Sequence, residues 1–293
     1  MQREKRTKSG RLLEIDFYPV FSDGRRMPTR KPKTAPTTEA QARYNHNQAV
    51  KKAVRLINEN FDTGDILMHP TYRPEDAPQS EEEAKRDFAN YIRRVKTKRA
   101  AELKRYTALC KKYPDNDSYK KAKKKLEQPF VYYCALEEVT YKSGRNKGRS
   151  NWHFHLFMTG GVDRDTLEDL WPSSSRVNAD RFQPERFGPE AAAKYITKDL
   201  HGQRKILRSK NLRTPKPPQI RDGKITAHGV ERLVKLRADD REYWERKFKG
   251  YRFVRTYARY NEYNGHWYLS VVMYKTAGKG ALPPWEVEEW IEE

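Results

Sequence analysis

The chain has 293 residues, and its 61 Lys and Arg against 40 Asp and Glu give a formal net charge of +21, which points to a polyanionic partner, nucleic acid first among them. An apolar content of 36% and a mean hydropathy of −1.09 leave no run long enough for a spanning helix and no stretch resembling a surface anchor, which argues against a membrane role. Cys110 and Cys134 are too few and too far apart for a structural zinc site, and the charged start at 1–10 lacks the apolar region of a secretion signal, so both thiols are expected to be reduced in a cytoplasmic protein.

Residues 1–46 are basic and irregular, with Arg25-Arg26 and a proline-rich stretch, and read as a mobile or peripheral arm; 12–21 is a candidate short strand within it. The arm is either a solvated tail or a phosphate-contacting one. A helix is expected over 45–60 and a buried strand over 64–72 that runs out at Pro70. Ser80 followed by Glu83 is a capping box that opens a helix. That helix carries Phe88, Tyr91, Ile92 and Val95 on one face and basic residues, Arg93 and Arg94 among them, on the others. Residues 100–128 continue as a basic insertion, helical or partly disordered.

The segment 130–141 is rich in aromatic and β-branched residues. A polar loop with two glycines follows, holding Arg145, Lys147 and Arg149, and then Trp152-His153-Phe154-His155-Leu156-Phe157-Met158. This is an antiparallel hairpin signal. In a strand, residues two apart share a face, so His153 and His155 project side by side while Phe154, Leu156 and Met158 enter the core. The hairpin returns Glu137 and Glu138 alongside the histidines, and one carboxylate faces them. Both strand faces are apolar enough to be the core side, so either glutamate fits. A short helix is expected over 163–171, a strand near 176–179 and a helix over 189–198. The segment 209–218 reads as an extended basic connector, and a helix is expected over 230–244. Two closing strands, 251–260 and 267–274, flank Asn264-Gly265, and an acidic tail covers 276–293.

On the 189–198 helix, Tyr195 and Lys198 are three residues apart and share a face, with Lys194 beside them. A phosphodiester repels nucleophiles because its non-bridging oxygens share a negative charge; a divalent ion draws off that charge, and a phenol beside a cation can then attack. Two neutral imidazoles and one carboxylate suit Mn²⁺ or Mg²⁺. Each element alone is weak, since the chain has 18 tyrosines. Their order within a strongly basic chain is what carries weight.

With these motifs the sequence resembles the HUH endonucleases, and within them the rolling-circle replication initiators of phages, plasmids and integrative elements. His153-Phe154-His155 matches the histidine motif, and Tyr195-x-x-Lys198 the single-tyrosine motif. Further likeness lies in Asp65 to Tyr72, Asp163-Arg164-Asp165, Leu170-Trp171, Arg176-Val177-Asn178 and Ser209-Lys210-Asn211-Leu212, so that it spans roughly 60–275. The resemblance implies an α+β fold with a central antiparallel sheet of about five strands and helices on its faces, in one domain over 47–275. It implies His153, His155 and either Glu137 or Glu138 as metal ligands, and Lys198 as an electrostatic helper. The implied reaction is nicking of single-stranded or hairpin origin DNA with a 5′-phosphotyrosine link to Tyr195, in a bacterial host cell. No Walker P-loop is present, so a host helicase is the expected partner. Relaxases and single-tyrosine transposases share the chemistry, and a non-catalytic single-strand-binding protein is the rival of another class.

Overall fold

The computed structural model describes residues 1–21, 39–171, 178–182 and 205–275. The expected helix over 189–198 with Lys194, Tyr195 and Lys198, the motif residues Arg176 and Val177, and the acidic tail lie outside the described residues. The described elements, in chain order, are β1 (Gln2–Ser9), β2 (Leu12–Pro19), α1 (Glu39–Asn60), β3 (Ile66–Met68), α2 (Glu81–Lys112) and α3 (Asp117–Glu127). They continue with β4 (Tyr132–Thr140), β5 (Ser150–Met158), α4 (Arg164–Asp169), β6 (Ala179–Arg181), β7 (Lys205–Arg208) and β8 (Gln219–Asp222). The last are α5 (Ala227–Arg237), α6 (Arg241–Lys247), β9 (Tyr251–Asn261) and β10 (His266–Lys275). The fold is α+β, but the strands form two five-stranded antiparallel sheets rather than one, in two compact units.

The first unit holds the sheet β8-β1-β2-β10-β9. Leu13, Ile15 and Phe17 of β2 lie opposite Met273, Val271 and Leu269 of β10, and this row packs on Val230 and Leu233 of α5 and Trp244 of α6. The helix expected over 230–244 is thus two, because Asp240 caps α6 through the Tyr243 amide. On the other sheet face Arg55 of α1 pairs with Glu14. The β1–β2 turn uses Gly10 at φ +56°, where a Cβ would sit 1.9 Å from the Asn58 carbonyl oxygen, so only glycine fits there.

Two expectations are corrected here. The start of the chain is not an arm over 2–19 but two paired strands with buried side chains. The alternation was hidden because β1 carries charges on the helix-facing side: Glu4 and Arg6 bond each other there, and the Arg6 guanidinium lies 4.9 Å above the Phe248 ring. Nor do 47–275 make one domain, since the closing hairpin β9–β10 pairs with β2 and not with the histidine strand.

The second unit holds the sheet β6-β3-β5-β4-β7. Phe154, Leu156 and Met158 of β5, with Leu136 and Met68, pack beneath Phe88, Tyr91, Ile92 and Val95 of α2, and the Phe88 and Phe154 rings stack at 5.4 Å. At the start of α2 the Glu83 amide donates to Ser80 Oγ at 3.2 Å, while the Glu83 carboxylate accepts from the Gln79 amide instead of closing the box on Ser80. The basic insertion is an ordered helical hairpin: α2 runs to Lys112, and Asn116 caps α3. Arg99 locks it in place. Its buried guanidinium donates to the carbonyls of Thr159, Gly160, Lys125, Leu126 and Gln128. Asp65, also buried, accepts from the Gly160 amide at 2.9 Å and pairs with Lys125 at 2.7 Å.

Replacing Arg99 strands buried carbonyls, so Arg99→Ala is expected to cost about 3 kcal/mol. Arg99→Lys should recover little, because a point ammonium cannot span carbonyls from two segments. Denaturant unfolding monitored by circular dichroism checks this, and a wild-type midpoint for Arg99→Ala would refute the clamp.

Candidate functional site

The site is built on the sheet face of the second unit opposite α2. Along β5 the residues that pack on α2 are Phe154, Leu156 and Met158, which turns His153, His155 and Phe157 to the other side. Register then separates the two glutamates. Glu137 lies opposite His153 and Ala135 opposite His155, whereas Glu138 lies opposite Trp152, which packs against the helix-side core. Directly opposed residues of an antiparallel pair share a face, so Glu137 is the carboxylate of the imidazole face and Glu138 is not.

A third histidine joins them. Strand β3 sets Leu67 opposite Phe157 and Met68 opposite Leu156, and continuing that register brings His69 beside His155. The chain beyond Met68 is held piece by piece. The His69 amide donates to the Asn178 carbonyl at 3.1 Å, and the Phe154 amide to the Pro70 carbonyl at 2.9 Å. Trp171 Nε1 donates to the Thr71 carbonyl at 3.0 Å, and Asn151 Nδ2 to the Tyr72 carbonyl at 3.0 Å. His69 was missed in the sequence because Pro70 read as the end of the strand. The available signal was parity: His69 stands two residues after Leu67, whose face it shares.

His155 is the centre of this group, 8% exposed. Its Nε2 lies 3.0 Å from Glu137 Oε2, and its Nδ1 lies 3.1 Å from Nδ1 of His69, with the two rings nearly edge-on at 74°. His153 Nε2 is buried and has no hydrogen-bond partner among the described residues. Burial, then the neighbouring His155, pushes the His69 pKa down to about 4, against an opposing pull from Asp180. Burial also lowers that of His153, partly opposed by Glu137. At neutral pH both rings are therefore uncharged, the form that ligates metals. As they stand, no three His, Cys, Asp or Glu side chains among the described residues are arranged to hold a metal ion. The donor chemistry nonetheless suits one: imidazoles beside a carboxylate, and on His153 a buried nitrogen with no hydrogen-bond partner among the described residues.

The basic residues divide. Arg145, Lys147 and Arg149 are exposed in the β4–β5 loop, which lies three residue pairs beyond the Glu137–His153 pair, about 10 Å along the strands. That loop carries cations and no carboxylate at the histidine end of the sheet. Arg93 and Arg94 sit on α2, across the sheet from the histidines. Arg93 is exposed and bonded to Asn90, while Arg94 is half-buried and donates to the Leu170 carbonyl at 3.0 Å, a structural contact rather than a free phosphate ligand. A cleft of about 550 Å³ lined by Lys125, Arg164 and Arg181 includes none of the histidines. Comparison with protein-family models, with curated proteins and with solved structures finds no match. No helix among the described residues is long and apolar enough to cross a membrane. Both cysteines are free thiols.

Two outcomes follow from this geometry. Glu137→Gln should weaken Mn²⁺ binding about tenfold or more, and Glu138→Gln should leave it within about twofold, as read by titration calorimetry. The pH dependence follows from His69, whose folded-state pKa of about 4 lies below its ordinary value of 6.5. Between those values the unfolded chain takes up the proton and the folded one does not, so stability is full above pH 6.5 and is lost as the pH falls toward 4. Thermal melts in metal-free buffer should show His69→Asn flattening this decline relative to wild type.

Proposed function

We propose that this chain is a rolling-circle replication initiator of the HUH kind, a metal-assisted endonuclease and strand transferase for single-stranded or hairpin origin DNA. The observation that carries the reading is the placement of His153, His155 and Glu137 on one sheet face, with a cationic loop at the same end of the hairpin. In this reading His153, His155 and Glu137 hold the cation, Mn²⁺ or Mg²⁺. The ion supplies charge withdrawal from the scissile phosphate. Arg145, Lys147 and Arg149 bind the backbone on either side of that phosphate and fix the strand in the site.

Tyr195 is the nucleophile. Its phenolic oxygen bonds to phosphorus, the 3′ oxygen of the preceding nucleotide leaves with a proton as a free hydroxyl, and the 5′ phosphate stays on the tyrosine. An unperturbed phenol has a pKa near 10, so the adjacent Lys198 favours the phenolate or offsets charge on the phosphate. The phosphotyrosine bond keeps the energy of the broken linkage, which permits later rejoining. Unwinding falls to a host helicase in the bacterial cytoplasm.

The test is to incubate the protein with labelled oligonucleotides tiling the DNA that carries its gene, with and without Mn²⁺, and to separate products on a denaturing gel. The expected result is a Mn²⁺-dependent protein–DNA adduct that Tyr195→Phe abolishes. Salt-sensitive binding with no adduct on any oligonucleotide would replace this reading with non-catalytic single-strand binding.

A further inference from the structure

We propose that His69 is a positioning residue of this site, whose Nδ1 holds the His155 ring with its Nε2 turned toward Glu137 to ligate a divalent cation there. The inference rests on the metal-assisted reading above. It is carried by two short contacts on opposite sides of one ring: 3.1 Å from His155 Nδ1 to His69 Nδ1, and 3.0 Å from His155 Nε2 to Glu137 Oε2.

Each contact needs one positive centre between its two atoms. Two imidazole nitrogens at that separation must share a single hydrogen, because two lone pairs repel and two N–H groups clash. A carboxylate facing an imidazole nitrogen likewise needs a proton or a cation between them. Without a cation, His155 Nε2–H donates to Glu137, and His155 Nδ1 accepts from His69 Nδ1–H. With a cation on Nε2, the His155 proton must sit on Nδ1, and His69 must accept it. Each ring keeps one proton throughout: that of His155 moves from Nε2 to Nδ1, and that of His69 from Nδ1 to Nε2.

The partner of His155 must therefore both donate and accept at one position. A backbone carbonyl or a carboxylate only accepts, and an ammonium only donates; an imidazole does either. The chain around His69 keeps it there, because its amide is bonded to Asn178 and the next residue, Pro70, accepts from Phe154, the immediate neighbour of His155. The partner on a ligating histidine's second nitrogen sets its tautomer and orientation, and losing such a partner weakens metal binding by roughly 10–100-fold.

The experiment measures Mn²⁺ binding by calorimetry on the full chain, wild type against His69→Leu and His69→Asn, with folding verified by circular dichroism. Leucine fills space without hydrogen bonding, whereas an asparagine amide presents a donor or an acceptor near the Nδ1 position. The expected result is an affinity loss of roughly 10–100-fold for His69→Leu and recovery to within a few-fold of wild type for His69→Asn. A measurement without any variant accompanies it: ¹⁵N imidazole spectra of the wild type should place the His155 proton on Nε2 without Mg²⁺ and on Nδ1 with it. Wild-type affinity for His69→Leu, equal weakness of both variants, or a proton remaining on Nε2 in the loaded protein would overturn the proposal. Absence of Mn²⁺ binding by the wild type would overturn the metal-assisted reading together with it. Binding without a DNA adduct would sink only the nicking chemistry and leave the role of His69 standing.

Discussion

The pairing register of β4 with β5 is the constraint on which the candidate site depends. Side chains alternate along a strand, so slipping one strand by a single residue would exchange Glu137 for Glu138 on the imidazole face. The register is held from both sides. On the helix side, Phe154 and Leu156 are fully buried against α2, and displacing either would empty the core. On the other side, Asn151 is buried and ties the start of β5 to Tyr72 and to Tyr141. The site's precision is thus inherited from apolar packing on the opposite face of the same sheet.

Part of this arrangement was legible in the sequence. The α2 start was readable from Ser80 and its apolar spacing, and the β4–β5 hairpin from aromatic strands around a glycine-bearing loop. What stayed hidden has physical reasons. The choice between Glu137 and Glu138 was open because each β4 face is apolar at one end, and only the pairing decides which lies over His153. His69 was obscured by Pro70, which lacks an amide hydrogen but keeps a carbonyl that Phe154 uses. Strand β1 was invisible to hydrophobic periodicity because its helix-facing side carries the buried Glu4 and the half-buried Arg6, which pair with each other while Arg6 stacks on Phe248. Strand β7 went unread as well: Leu207 packs on the core, but the strand is short and Ile206 beside it is half-exposed.

The positive charge has more than one use. Arg99 is consumed in tying α3 to the end of β5, Arg94 in holding the end of α4, and Arg55 in fastening α1 to β2. These guanidiniums are donors to carbonyls and carboxylates of the fold itself, a task for which the planar fork is better suited than an ammonium. The cations exposed in the β4–β5 loop have no such bond among the described residues, and they lie at the end of the strands where Glu137 and His153 face each other. Composition reported the sum, and burial separates the structural share from the share open to a polyanion.

The pairing of β2 with β10, in which Phe17 meets Leu269, joins strands from opposite ends of the sequence. The strands of the histidine-bearing sheet, β3 to β7, are all drawn from within that span. On a ribosome, the histidine-bearing sheet can assemble as soon as β7 has emerged, whereas β2 must wait unpaired on one edge until nearly all the described chain has been made. Long-range pairing of this kind is slow and leaves a strand edge open in the interval.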